Sequence, residues 1–100
     1  MSDTQESWID TEIHERLASE DVGVRRIALL DLADLDDDNS TSWFLQALRN
    51  DPAAEARREA ARLLVAWEDG TVVEGLCRAL TDAGASVREA AAQSLSELKE

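Results

Sequence analysis

Three segments of the chain can be laid one over another: Val24-Arg25-Arg26-Ile27-Ala28-Leu29-Leu30-Asp31-Leu32, Ala56-Arg57-Arg58-Glu59-Ala60-Ala61-Arg62-Leu63-Leu64 and Val87-Arg88-Glu89-Ala90-Ala91-Ala92-Gln93-Ser94-Leu95. Their starts, at 24, 56 and 87, are 32 and then 31 residues apart. In each, a small or branched apolar residue precedes Arg, Ala comes four positions after the start, Leu eight after, and Leu35, Trp67 or Leu98 eleven after. Those steps hold the side chains on one stripe of an α-helix. A fainter set lies upstream of each segment: Ile13 and Leu17, Phe44 and Leu48, Leu76 and Leu80. The unit is therefore a pair of helices, and a unit of that size buries its apolar face only by stacking on its neighbours.

The fold expected is all-α: a superhelical solenoid of three helical hairpins, about six helices, in a single domain over 1–100 with repeats near 7–37, 38–69 and 70–100. Helices are expected near 6–18, 22–35, 41–49, 53–67, 71–81 and 85–98. Within each hairpin the turn is acidic: Glu20-Asp21, Asn50-Asp51-Pro52 and Thr81-Asp82-Ala83-Gly84. Asp before Pro is a helix start, because the carboxylate caps free N–H groups and Pro at the first helical position loses no bond. Glu68-Asp69-Gly70 reads as a helix end with Gly70 as its stop, and Asp36-Asp37-Asp38-Asn39-Ser40 as the longest connection.

Composition agrees with this reading. Apolar residues make up 44% of the chain and charged ones 32%, and one Pro with four Gly leaves few turns for a β fold. The longest wholly apolar run, Leu63 to Trp67, is far too short to span a bilayer, and the first residues are acidic where a signal peptide is basic. A cytoplasmic protein without a membrane segment is expected. Cys77 is the single cysteine, so no disulfide forms within the chain. The net charge of −12 repels phosphate backbones and argues against nucleic acid as a partner.

An apolar residue followed by Arg, Ala four positions on and Leu eight on, after a turn that contains Asp, resembles the HEAT repeat. The length near 31 residues is similar to short bacterial and archaeal HEAT-like repeats, which also occur in phycobilin lyase subunits. The resemblance covers roughly residues 7 to 98. It implies an armadillo/HEAT-like solenoid in which Arg25, Arg57 and Arg88 are ladder arginines, with Asp21, Asp51 and Asp82 as partners across neighbouring repeats.

Catalytic chemistry has little to work with in this sequence. His14 and Cys77, the one imidazole and the one thiol, stand two repeats apart in a stack whose repeats touch only their neighbours. His14 is expected on the polar side of the first helix, and Cys77 as a small buried hydrophobe. Asp34, Asp36 and Asp38 have the first alternating positions of a calcium loop, but Asn39 stands where the loop needs Gly and Leu45 where it needs a bidentate Glu. No glycine-rich phosphate loop and no zinc spacing occurs. No catalytic, cofactor or metal residue is assigned, and the chain is expected not to be an enzyme.

Binding is the remaining role. Second helices line the concave side of such a stack, and the residues there off the buried stripe are Arg26, Leu30, Asp34, Arg58, Glu59, Arg62, Glu89 and Gln93. Of these, Arg26, Arg58, Glu59, Arg62, Glu89 and Gln93 are taken as the partner surface, with Arg57, Arg58 and Arg62 forming either a positive patch or ion pairs with Glu55 and Glu59. Trp8 and Trp43 are candidate aromatic contacts, while Trp67 belongs to the buried stripe. The reading is a non-catalytic protein-interaction module or small scaffold. The alternative is a module of the phycobilin lyase type that cradles a chromophore or client protein. Gln93, Ser94 and Glu97, where repeat two has Arg62, Leu63 and Ala66, suggest a polar outer face and a natural end to the array. A monomer, or weak self-association through open repeat ends, is expected.

Overall fold

A computed structural model describes residues 12–35 and 40–98. Residues 12–17 are helical (α1) and are followed by α2 (Val22–Leu35), α3 (Ser40–Asn50), α4 (Ala54–Leu63), α5 (Gly70–Ala79) and α6 (Ala85–Leu98). No strand occurs among the described residues. Trp8, Asp36 and Asp38 lie outside them.

The helices form two layers. In one, α3 packs on α5, and α1 reaches α3 through the His14 ring, which stands edge-on to Trp43 at 4.1 Å. In the other, α4 lies between α2 and α6. Hairpin partners join the layers, α3 to α4 and α5 to α6, while Arg16 of α1 bonds Asp31 of α2 at 2.7 Å. This is the solenoid of three helical hairpins that the repeat predicts.

The core follows most of the stripe, although Leu35 at its end in the first repeat is 48% exposed. Ala28, Ala60 and Ala91 are fully buried, as are Ala56, Val87, Leu64, Phe44 and Leu76. Alanine at the fourth position matters because second helices approach one another there, and a larger side chain would hold them apart. Each fully buried Leu or Phe contributes roughly 1.5–3 kcal/mol of transfer free energy.

Several expectations change. The fourth helix does not run to Trp67: it tightens to a 3-10 turn over Leu64–Ala66, and Trp67 is extended, laying its ring on Phe44 at 5.4 Å. Gly70 is not a stop but the first residue of α5, because Asp69 caps that helix by accepting the Thr71 N–H at 2.9 Å. Leu80, in register with buried Leu48, is 40% exposed. Cys77, expected buried, is exposed too. Both stand on the side of α5 that the equivalent α3 residues turn toward the next repeat, and no described helix follows there. Ser94, read as part of a polar outer face, is instead buried against α4, donating to the Ala61 carbonyl at 2.7 Å.

Candidate protein-interaction surfaces

The turn side of the stack is closed by a ladder. Arg25 donates from Nε and Nη2 to both carboxylate oxygens of Asp51, at 2.8 and 3.0 Å, and from Nη1 to the Ser19 carbonyl at 2.8 Å. One repeat on, Arg57 does the same with Asp82, at 3.0 and 3.1 Å, and with the Asp51 carbonyl at 2.8 Å. Each aspartate also bonds within its own turn, accepting the Ala53 N–H or the Gly84 N–H just before the next helix. One carboxylate thus fixes a turn and a junction together. The bonds to Asp51 raise the Arg25 pKa above its usual value, against the desolvation of a buried guanidinium. Burial pushes the Asp82 carboxyl up, but the bonds from Arg57 and the Gly84 N–H outweigh it and leave the pKa below the ordinary carboxylate value. Of the ladder residues implied by the resemblance, Arg25 and Arg57 each reach forward to the aspartate of the next repeat, whereas Arg88 bonds only the Asp82 and Ala83 carbonyls and Asp21 takes the Gly23 N–H and no arginine among the described residues.

That geometry divides the three neighbouring arginines of α4. Arg57 points to the turn side and is fully engaged, whereas Arg58 and Arg62 face a shallow groove between α4 and α6. The groove has a volume of about 430 Å³ and is lined by Arg58, Arg62, Glu89 and Gln93, with Val65 and Ala90 as its apolar floor. No single patch of three arginines forms, because consecutive residues on a helix point about 100° apart.

The other predicted surface residues are placed as follows. Glu59 is buried, its carboxylate held by Arg26 of α2 at 3.1 Å and approached by Arg62 at 3.8 Å. It organises the arginines around it and does not lie open itself. Arg26 is thereby tied across the first junction. Gln93 bonds Glu97 at 2.9 Å along α6. Arg58 and Glu89 are exposed and make no side-chain hydrogen bond or ion pair among the described residues.

Trp43 is half-buried beside a second cleft, of about 610 Å³, whose wall includes His14, Leu17, Leu29 and Ala47 and whose polar side is the Arg25–Asp51 pair. His14 remains exposed, as read from the sequence, but its ring is half of an aromatic contact that the reading missed. The signal was weak: the two residues are 29 positions apart, and only the stacking of α1 on α3 brings them together. No described group of three or more His, Cys, Asp or Glu could hold a metal ion, and no described helix is long and apolar enough to cross a membrane.

Comparison with known proteins is consistent with this architecture. The family model for HEAT repeats matches residues 41–100, which is α3 through α6 and both ladder arginines of α4 and α6. No curated protein matches the chain.

Proposed function

We propose that this chain, which belongs to the HEAT-repeat family, is a non-catalytic interaction module whose groove between α4 and α6 takes a segment of another protein. HEAT repeats generally mediate contacts between proteins and are typically non-catalytic. The observation that carries the choice of surface is the state of its charges. Arg25 and Arg57 are engaged in the ladder, whereas Arg58 and Glu89 face the groove without a side-chain partner among the described residues. Exposed charge of both signs above an apolar floor suits a mixed-charge segment, where complementary pairs set register and orientation. Arg58 and Arg62, one helical turn apart, supply planar donor forks that fit carboxylates on such a segment. Arg26 and Gln93 extend the same face, and Glu59 holds Arg26 and Arg62 in place from below.

Affinity capture from the source organism, comparing wild type with the double variant Arg58→Glu/Arg62→Glu, tests this. Loss of one specific protein, with unchanged helical circular dichroism, is the expected result, and its affinity should fall at least about tenfold. A protein retained equally by both would remove the groove from the interaction. Arg57 is left intact, because changing it would test the ladder and not the surface.

A further inference from the structure

Resting on the proposal above that the groove between α4 and α6 takes a protein segment, we infer that the segment is an α-helix, and that it brings a carboxylate to a place where the repeat omits its own. Arg26 and Arg58 hold one register position, two residues after the segment starts at 24 and 56. At the first junction the next repeat answers Arg26 with an acid three residues after its start. That acid is Glu59, whose carboxylate accepts from Arg26 Nη2 at 3.1 Å. At the second junction the corresponding residue is Ala90. Arg58 thus meets the junction with no acid placed to receive it, and it makes no side-chain hydrogen bond or ion pair among the described residues.

Alanine in that position also leaves room. A glutamate side chain is buried there at the first junction, whereas at the second Ala90 and Val65 floor a groove of about 430 Å³. Arg62, one helical turn beyond Arg58 on the same wall, is 57% exposed and stands 3.8 Å from Glu59. Two guanidinium forks, about 6 Å apart along α4, therefore border a space of the kind that a carboxylate side chain fills one repeat earlier.

The opposite wall sets the rest of the partner. Glu89 and Glu97 of α6 line it, both exposed and about 12 Å apart at 1.5 Å per residue, and Gln93 between them donates to Glu97 at 2.9 Å. One wall donates and the other accepts. Both walls are α-helices whose backbone groups bond within the helix, so they offer an extended segment no edge to pair with. A helix carries its own backbone bonds, and its carboxylates at i and i+4 repeat the spacing of Arg58 and Arg62. Lys or Arg on its other flank meets Glu89 and Glu97, and a small apolar residue between the flanks faces Ala90 and Val65. A wholly acidic helix is rejected by those glutamates and by the net charge of −12.

Fluorescence anisotropy of labelled, stapled helical peptides titrated with the full chain tests the inference. The probe has Glu at i and i+4 on one flank, Ala over the floor and Lys all along the other flank, so that it fits in either direction. The control has the same residues with the charges permuted between flanks. The probe should bind with Kd below about 1 mM, weaken as salt rises and bind at least about tenfold more tightly than the control. Ala90→Glu returns the missing acid and should weaken the probe about tenfold or more, with circular dichroism unchanged, since the same register already buries Glu59. Should Ala90→Glu unfold the chain, Arg58→Glu/Arg62→Glu gives the second reading: a probe with Lys in place of its two Glu should prefer this variant to the wild type. Equal binding of probe and control overturns the inference, as does full-strength binding by folded Ala90→Glu or by a proline-broken probe of the same charges. A protein captured through Arg58 and Arg62 while the probe fails to bind strikes the helix alone. A capture indifferent to those arginines strikes the groove itself.

Discussion

Between the first and second hairpins a histidine stands edge-on to a tryptophan; at the same register between the second and third, Leu45 lies over Gly75. The second layer differs as well, with an Arg26–Glu59 ion pair at one junction and a Ser94 hydroxyl against the Ala61 carbonyl at the other. Yet the rung joining each pair of turns is the same bidentate arginine–aspartate contact, within a few tenths of an ångström. The difference teaches a division of labour. The rung sets how far one repeat is displaced along the next, and the side chains between first helices set how closely the layers meet. Where aromatic rings fill that space a cleft of about 610 Å³ lies beside them. A glycine in the equivalent place allows direct closure.

Breaking the rungs is the largest expected effect. Arg25→Met and Arg57→Met should each cost about 2–4 kcal/mol in urea unfolding, since each strands a mostly buried carboxylate; the retained solvent edge keeps the loss toward the low side. The first should cost slightly more, because the Arg25–Asp51 side chains are 11% and 8% exposed against 15% and 13% for Arg57–Asp82. Equal treatment of both junctions by these variants would show that the rung acts independently of its filling. Losses below about 0.5 kcal/mol, the range of an exposed ion pair, would remove the rung from its role in register.

The next effect sharpens the contrast in filling. A Cβ at Gly75 would collide with the Leu45 side chain, so Gly75→Leu should cost about 1–3 kcal/mol by overpacking. Adding Leu45→Ala should recover part of the loss, giving a coupling of about 0.5–3 kcal/mol in a double-mutant cycle. Additive effects would mean that the two side chains do not share the junction's space.

These pairs also show what the sequence could and could not disclose. Ala28, Ala60 and Leu64 were legible because helical spacing is local, and a stripe three or four residues deep needs no knowledge of neighbours. The ladder roles of Arg25 and Arg57 came through the family resemblance and not through spacing. Arg57 and Arg58 read as one cluster, although the rotation of about 100° between consecutive helical residues sends the first into a rung and the second into a groove. Contacts such as His14 with Trp43, and Leu45 with Gly75, depend on the stacking angle of separate helices, which no local period encodes. Cys77 and Leu80 were misplaced for a related reason: a repeat pattern assigns the last unit the same neighbours as the inner ones. Asp69-Gly70 was ambiguous in itself, since glycine after a helix and a carboxylate before one occupy the same few residues.

The smallest effect separates the rungs by acid. Because the Asp82 carboxyl is held below its ordinary value in the folded chain, its contribution to stability is present above the unfolded value of about 3.9 and is lost as pH falls through the folded one. Asp69, lowered by the Thr71 backbone and hydroxyl bonds, acts with the same sign at the start of α5. Arg25, whose value is raised from one already above the acid and neutral range, contributes nothing to this limb. Thermal unfolding of the wild type should therefore shift downward between about pH 5 and pH 3, while Asp82→Asn, less stable at neutral pH, should show a shallower shift and approach the wild type at the acid end. Parallel curves would mean that Asp82 ionisation is not coupled to folding, and that the second rung holds through geometry alone.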